Sequence, residues 1–165
     1  MLLIDEINRG NVAKVFGELY YLLEYRDEKI ALQYSADPFA LPKNLWIIGT
    51  MNTADRSIAF LDAALRRRFR ERRFRPDYAA LDGWLKENVS ATVASDAVAR
   101  LGALNAALIE LLDEDRLIGH SYLMKKDLAE VGYQLVWDEE LEPVLREHLF
   151  TRLDELERLR QIFVE

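Results

Sequence analysis

The chain has 165 residues, half of them apolar, no cysteine, and a formal net charge of −7. That length and apolar share fit one domain or two small ones around a buried core, and they exclude a disordered tail, a disulfide scaffold and a cysteine-based zinc site. Overall acidity argues against a free-standing electrostatic binder of nucleic acid, although residues 66–75 carry seven Arg and one Glu and leave the other 155 residues at −13.

The absence of cysteine agrees with a cytoplasmic location. No apolar stretch approaches the roughly 20 residues a membrane helix needs, and Met1-Leu2-Leu3-Ile4 meets Asp5 too early for a signal peptide. No membrane partner is expected.

In chain order, Met1 to Ile4 reads as a buried strand ending in Asp5-Glu6. Asn11 is an N-cap for an amphipathic helix to Tyr25, with Val12, Val15, Phe16, Leu19, Leu22 and Leu23 at steps of three and four. Lys29 to Tyr34 alternates as a short strand, and a loop follows through Asp37-Pro38 and Leu41-Pro42-Lys43-Asn44. A second buried strand, Leu45 to Thr50, runs into Met51-Asn52-Thr53-Ala54-Asp55-Arg56-Ser57, and Ser57 caps a helix from Ile58 to Arg68. Phe69 to Phe74 is expected as a third strand, with Arg75-Pro76-Asp77 as a linker.

Beyond the linker the pattern turns helical: Tyr78 to Glu87, Asp96 to Asp113, Glu139 to Phe150 and Leu153 to Phe163. Val89 to Ala94 reads as a loose connection and Val131 to Trp137 as a short strand or extended segment. Trp46, Trp84 and Trp137 are expected in the core. The fold class is α/β followed by an α-helical part, divided into residues 1–77 and 78–165.

Two buried strands that each deliver polar groups at their carboxyl ends point to a ligand there, because in open parallel sheets ligands sit beyond that edge. Asp5 suits a hydrated magnesium ion, Glu6 an attacking water, and Asn52 that same water or a terminal phosphate, which together describe a nucleoside triphosphate site. Taken alone, Asp5-Glu6 is also an ordinary acidic pair at a strand end, and Asn52, Thr53 and Asp55 are ordinary turn formers.

The order and wording of Asp5-Glu6-Ile7-Asn8-Arg9-Gly10-Asn11, Met51-Asn52-Thr53-Ala54-Asp55-Arg56-Ser57, Ala64-Leu65-Arg66-Arg67-Arg68-Phe69 and Ile118-Gly119-His120-Ser121-Tyr122 resemble McrB-type AAA+ proteins. These are GTP-hydrolysing motor subunits of restriction systems directed at 5-methylcytosine. The resemblance spans roughly residues 1–125. It implies a Walker B strand before Asp5-Glu6, a sensor 1 strand before Asn52, and a helical lid from residue 78.

No Gly-x-x-x-x-Gly-Lys-Ser/Thr occurs, so the resemblance implies a partial P-loop NTPase core whose parallel sheet lacks the Walker A strand. On that reading Met1 is an internal methionine of a longer protein, and this stretch by itself is inactive.

The resemblance further implies Glu6, Asn52, Arg67 and Arg68 as catalytic residues, Asp5 as the magnesium ligand, and Asp55, His120 and Ser121 as nucleotide neighbours. The substrate is GTP or ATP, and the partners are other copies in a ring, a hexamer by expectation, together with a nuclease subunit and, indirectly, DNA. Asp55 also bears comparison with the guanine-reading Asp of GTPases. Arg67 and Arg68, at a helix end, fit an arginine finger given to a neighbouring subunit. A nucleic-acid patch or a solvated edge strand would use the same charges, and Arg70, Arg72, Arg73 and Arg75 fit the solvated edge best. His120 is equally compatible with a structural role. The rival to the motor reading is a truncated, non-hydrolysing fragment that serves only as a subunit-interaction module.

Overall fold

The computed structural model describes residues 1–33, 37–52 and 63–165. The expected Ser57 cap, the first turns of the Ile58 to Arg68 helix, Tyr34 and Asp55 lie outside them. The chain divides into two units, Met1–Arg73 and Phe74–Glu165.

In the first unit, β1 (Leu2–Ile4) pairs in parallel with β4 (Ile47–Gly49), in the register Leu2 to Ile47, Leu3 to Ile48 and Ile4 to Gly49. Between them lie a 3-10 turn at Ile7–Arg9, helices α1 (Val12–Phe16) and α2 (Leu19–Glu24), and an antiparallel ladder of β2 (Ile30–Ala31) with β3 (Pro38–Phe39). Helix α3 (Ala63–Arg68) follows.

Several expectations change here. The continuous helix from Asn11 to Tyr25 is broken in two, because Gly17 takes φ +41, a left-handed conformation that ends α1. Asn11 does cap α1, its Oδ1 accepting from the Lys14 amide at 3.0 Å. Pro38 and Phe39, expected in a loop, form a strand. The strands Met1 to Ile4 and Leu45 to Thr50 are not buried: Leu3 is 60% exposed and Trp46, expected in the core, is 74% exposed. A two-stranded ladder has little to bury its faces against among the described residues, so its apolar side chains remain accessible. The expected strand Phe69 to Phe74 is irregular and joins neither ladder among the described residues, and Phe74 is 98% exposed.

The second unit is built on α5 (Ala91–Leu111), which packs against α4 (Tyr78–Asn88) and α8 (Leu153–Val164). Ser90 caps α5 through a bond from the Val93 amide at 3.3 Å, so the supposed connection Val89 to Ala94 holds a cap and a first helical turn. Ala94, Ala97, Leu101, Leu104 and Leu108 step along α5 by three and four and are fully buried.

At 21 residues and mean hydropathy 1.2, α5 is apolar enough by length and composition to cross a membrane, contrary to expectation. Its buried stripe is the centre of the helical core instead, and that role accounts for its apolar character.

Helix α6 (Leu128–Val136) occupies the segment expected to be extended. Gly132 interrupts it at φ +74, and a π-helical turn, Trp137–Leu141, leads into α7 (Glu142–His148). Val131 to Trp137 reads from the sequence as a short strand or extended segment. Core packing runs instead through Val136, Trp137, Leu141, Leu145 and Leu149, and the burial of the neighbours Val136 and Trp137 together departs from the alternation of a half-buried strand.

Truncating Leu101 to alanine removes three buried carbons from the middle of this core. Leu101→Ala is expected to lower unfolding free energy by about 2–5 kcal/mol, whereas Phe74→Ala should change it by less than about 0.5 kcal/mol. Urea unfolding followed by circular dichroism in the helical band checks both.

Candidate functional site

Parallel pairing of β1 with β4 puts both carboxyl ends at one edge, and the turn after β1 is fastened to the residue after β4. The Thr50 amide donates to the Ile4 carbonyl at 3.0 Å, and the Ile7 amide donates to the Thr50 carbonyl at 2.8 Å. The Thr50 hydroxyl accepts from the Glu6 amide at 3.0 Å and donates to Asp5 Oδ1. Gly49 assists by having no side chain: a Cβ there would stand 3.0 Å from Ile7 Cδ1 and 3.3 Å from Ile7 Cβ.

Glu6 sits at φ +49, ψ +49, the one non-glycine residue with positive φ among those described. Holding a glutamate in that region costs on the order of 1–3 kcal/mol and persists where surrounding bonds over-determine it. Here they do, and the turn sends the Asp5 and Glu6 side chains out of the strand's simple alternation.

Arg9 Nε meets Glu6 Oε2 at 2.7 Å across the 3-10 turn. A hollow of about 410 Å³ opens beside this turn, lined by the polar Asp5, Glu6 and Arg9 and the apolar Val12, Val15 and Phe16. Asn8, buried under the turn, has an Oδ1 without a hydrogen-bond partner among the described residues. Asn52 lies two residues beyond Thr50 and is exposed.

The donor set suits magnesium rather than a metal held by protein alone. Among the described residues no cluster of three or more His, Asp or Glu could enclose an ion. A lone carboxylate with one oxygen fixed by a hydroxyl matches magnesium, which keeps water and takes one or two protein carboxylates beside phosphate oxygens.

The arginines expected to act together differ in environment. Arg68 is held within its own unit: its side chain is only 19% exposed, Nη2 meets Glu24 Oε2 at 2.5 Å, Nη1 donates to the Ala64 carbonyl at 2.7 Å, and the guanidinium lies 5.6 Å from the Tyr20 ring centre. Arg66 and Arg67 are exposed. Arg75 pairs with Glu114 at 2.5 Å and Arg73 with Glu71 at 3.2 Å.

In the helical unit, His120 Nδ1 accepts from the Asp77 amide at 3.0 Å, while Asp77 caps α4 by accepting from the Ala80 amide at 2.9 Å. Ser121 is exposed. Asn105, whose role pattern reading missed, is 1% exposed on the buried stripe of α5. Its Oδ1 accepts from the Ile118 amide at 2.8 Å, and its Nδ2 donates to the Ile118 carbonyl at 3.0 Å and to the Tyr78 hydroxyl at 3.2 Å. That bracket fixes the chain just before Gly119-His120-Ser121. A polar residue at a core position of an otherwise apolar stripe was the available signal.

Residues 1–69 match the profile of the AAA domain (dynein-related subfamily), and residues 96–159 match that of the McrB alpha-helical lid domain. The chain belongs to the McrB-type AAA+ proteins. It is 53% identical over 76 residues to the type IV methyl-directed restriction enzyme EcoKMcrB subunit of Escherichia coli K12, a match covering 42% of this chain and 17% of that protein. It is 29% identical over 173 residues to the type II restriction enzyme BsuMI component YdiS of Bacillus subtilis 168, covering 91% of this chain and 49% of that protein. The McrB-type chain therefore spans half or less of the relatives it matches, and its fold is part of an AAA+ core followed by a helical lid.

The two neighbouring arginines give a direct contrast. Arg68→Ala breaks an ion pair, a backbone bond and a ring contact, partly screened by solvent, and is expected to cost about 1 kcal/mol of stability. Arg67→Ala should leave stability within about 0.5 kcal/mol. Chemical unfolding of the two variants side by side measures the difference.

Proposed function

We propose that the protein carrying this chain hydrolyses a nucleoside triphosphate, GTP in preference to ATP, between subunits of a ring, and that the ring drives a nuclease partner in restriction of modified DNA in the cytoplasm. The observation that carries this reading is the meeting of Asp5-Glu6 with the Thr50 to Asn52 segment at one edge of a parallel pair. The likeness to two restriction-system components supports the setting.

In this reading Asp5 would hold magnesium, and the bound ion would supply charge neutralisation on the phosphates. Glu6, at the rim of the hollow, orients the attacking water and takes its proton. Asn52 hydrogen-bonds that water or the terminal phosphate. Arg67, exposed at the carboxyl end of α3, reaches the site of a neighbouring subunit and stabilises charge on the transferring group. Arg68, already engaged with Glu24 and Tyr20, holds α3 against α2 and so aims Arg67.

His120 contributes from the lid. Its Nδ1 accepts from the Asp77 amide and so leaves the ring proton to Nε2, while the role of His120 and Ser121 as nucleotide neighbours comes from the resemblance. Asp55 is assigned to the base or the terminal phosphate by resemblance alone, since it lies outside the described residues.

Glu6→Gln keeps size and polarity while removing the base, so turnover should fall by about two orders of magnitude or more with nucleotide binding retained. Arg67→Ala should lower turnover by roughly 10³ to 10⁵ with stability unchanged. Mixing the two variants should restore part of the activity, because some interfaces then join an intact Glu6 to an intact Arg67. Steady-state phosphate release without DNA checks all three, and normal turnover by either single variant would remove that residue from the mechanism.

A further inference from the structure

We infer that Thr50 is a positioning residue for the acidic pair: its hydroxyl sets Asp5 for the metal and Glu6 for water. The inference rests on the hydrolytic reading above and adds to it a residue outside the reacting groups.

The hydroxyl has one proton to give and lone pairs to receive, and Thr50 uses both functions on consecutive residues. Donating to Asp5 Oδ1 holds the carboxylate by one oxygen and leaves the other as the oxygen for a hydrated divalent cation. Accepting from the Glu6 amide at 3.0 Å holds Glu6 in its left-handed conformation and so sets the direction in which its side chain leaves the backbone. The main chain of Thr50 is anchored independently, by the amide bond to Ile4 and the carbonyl bond from Ile7, so the hydroxyl works from a fixed base. Thr50 also follows directly on the strand that leads to Asn52, so its hydroxyl ties Asp5 and Glu6 to that segment of the chain.

A merely structural threonine would act through its methyl group or its strand preference. That role and the proposed one rank two near-isosteric substitutions in opposite order. Thr50→Val keeps the shape and removes the hydroxyl; Thr50→Ser keeps the hydroxyl and removes the methyl.

The test uses the protein as its gene encodes it, with GTP and magnesium as probes. Thr50→Val should lower kcat and raise the magnesium concentration for half-maximal turnover, each by about 10- to 100-fold, the usual penalty for losing a partner that orients a metal-binding group. It should also speed hydrogen exchange at the Glu6 amide, read by mass spectrometry at residue level, because that amide loses its acceptor. GTP affinity in the presence of EDTA should be unchanged, and Thr50→Ser should stay near wild type in every measurement.

Normal exchange at Glu6 together with normal magnesium dependence in Thr50→Val would overturn the proposal. So would a serine variant impaired as badly as the valine one. If the valine variant fails to fold, Thr50→Ala, which adds no bulk beside the carboxylate, is judged by the same readouts. Glu6→Gln run in parallel separates the two levels: its normal turnover would defeat the hydrolytic reading itself, whereas an inactive Glu6→Gln beside an unaffected Thr50→Val defeats only the role of Thr50.

Discussion

The parallel ladder between β1 and β4 joins segments more than forty residues apart, and the geometry around the Asp5-Glu6 turn depends on its register. Parallel pairing alone brings two strand ends to the same edge. The register then decides what meets there: with Ile4 opposite Gly49, Thr50 stands beside the Asp5-Glu6 turn, and its backbone and hydroxyl bind that turn at four points. A slip of one residue would reverse the faces of the strand and set a different residue against the acids. Gly49 permits the arrangement, because Ile7 fills the space its side chain would occupy.

The helical unit obtains its order differently. Its core is an apolar stripe on α5 covered by α4, α8 and the π-helical turn, and dispersion and burial hold it without long-range backbone pairing. One buried polar residue sets the segment before His120 within it. Asn105 satisfies both backbone groups of Ile118, so the chain before His120 has a single position, and His120 is in turn tied to the cap of α4. A satisfied amide in an apolar core gives this directional control, which apolar contacts lack.

The run of arginines shows how little a charge cluster says by itself. Seven like residues within ten positions separate into an arginine held against an aromatic ring and a glutamate, others paired to acids near and far in sequence, and others exposed to solvent. Distance to Glu24, Glu71 and Glu114 sorts them, and two of those acids lie far along the chain. The outward position of Arg67 follows from Arg68 turning inward, since adjacent residues on a helix point about 100° apart.

By itself the sequence determined the helical stripe of α5, the Asn11 cap, the two strands that end in polar residues, and the family, because each of these is a local pattern of residue types. The McrB-type motifs were legible for the same reason: Asp5-Glu6, Asn52 and Gly119-His120-Ser121 are contiguous runs. Tertiary structure alone decided the exposure of Trp46 and Leu3, the irregular course of residues 69–74, the break at Gly17 and the helical state of Val131 to Trp137. Strands need partners, burial needs a covering layer, and an alternating stretch yields to whichever period its neighbours can pack. The parts played by Thr50 and Asn105 belong to that second class: a hydroxyl or an amide in a one-dimensional string carries no sign of which distant backbone group it will meet.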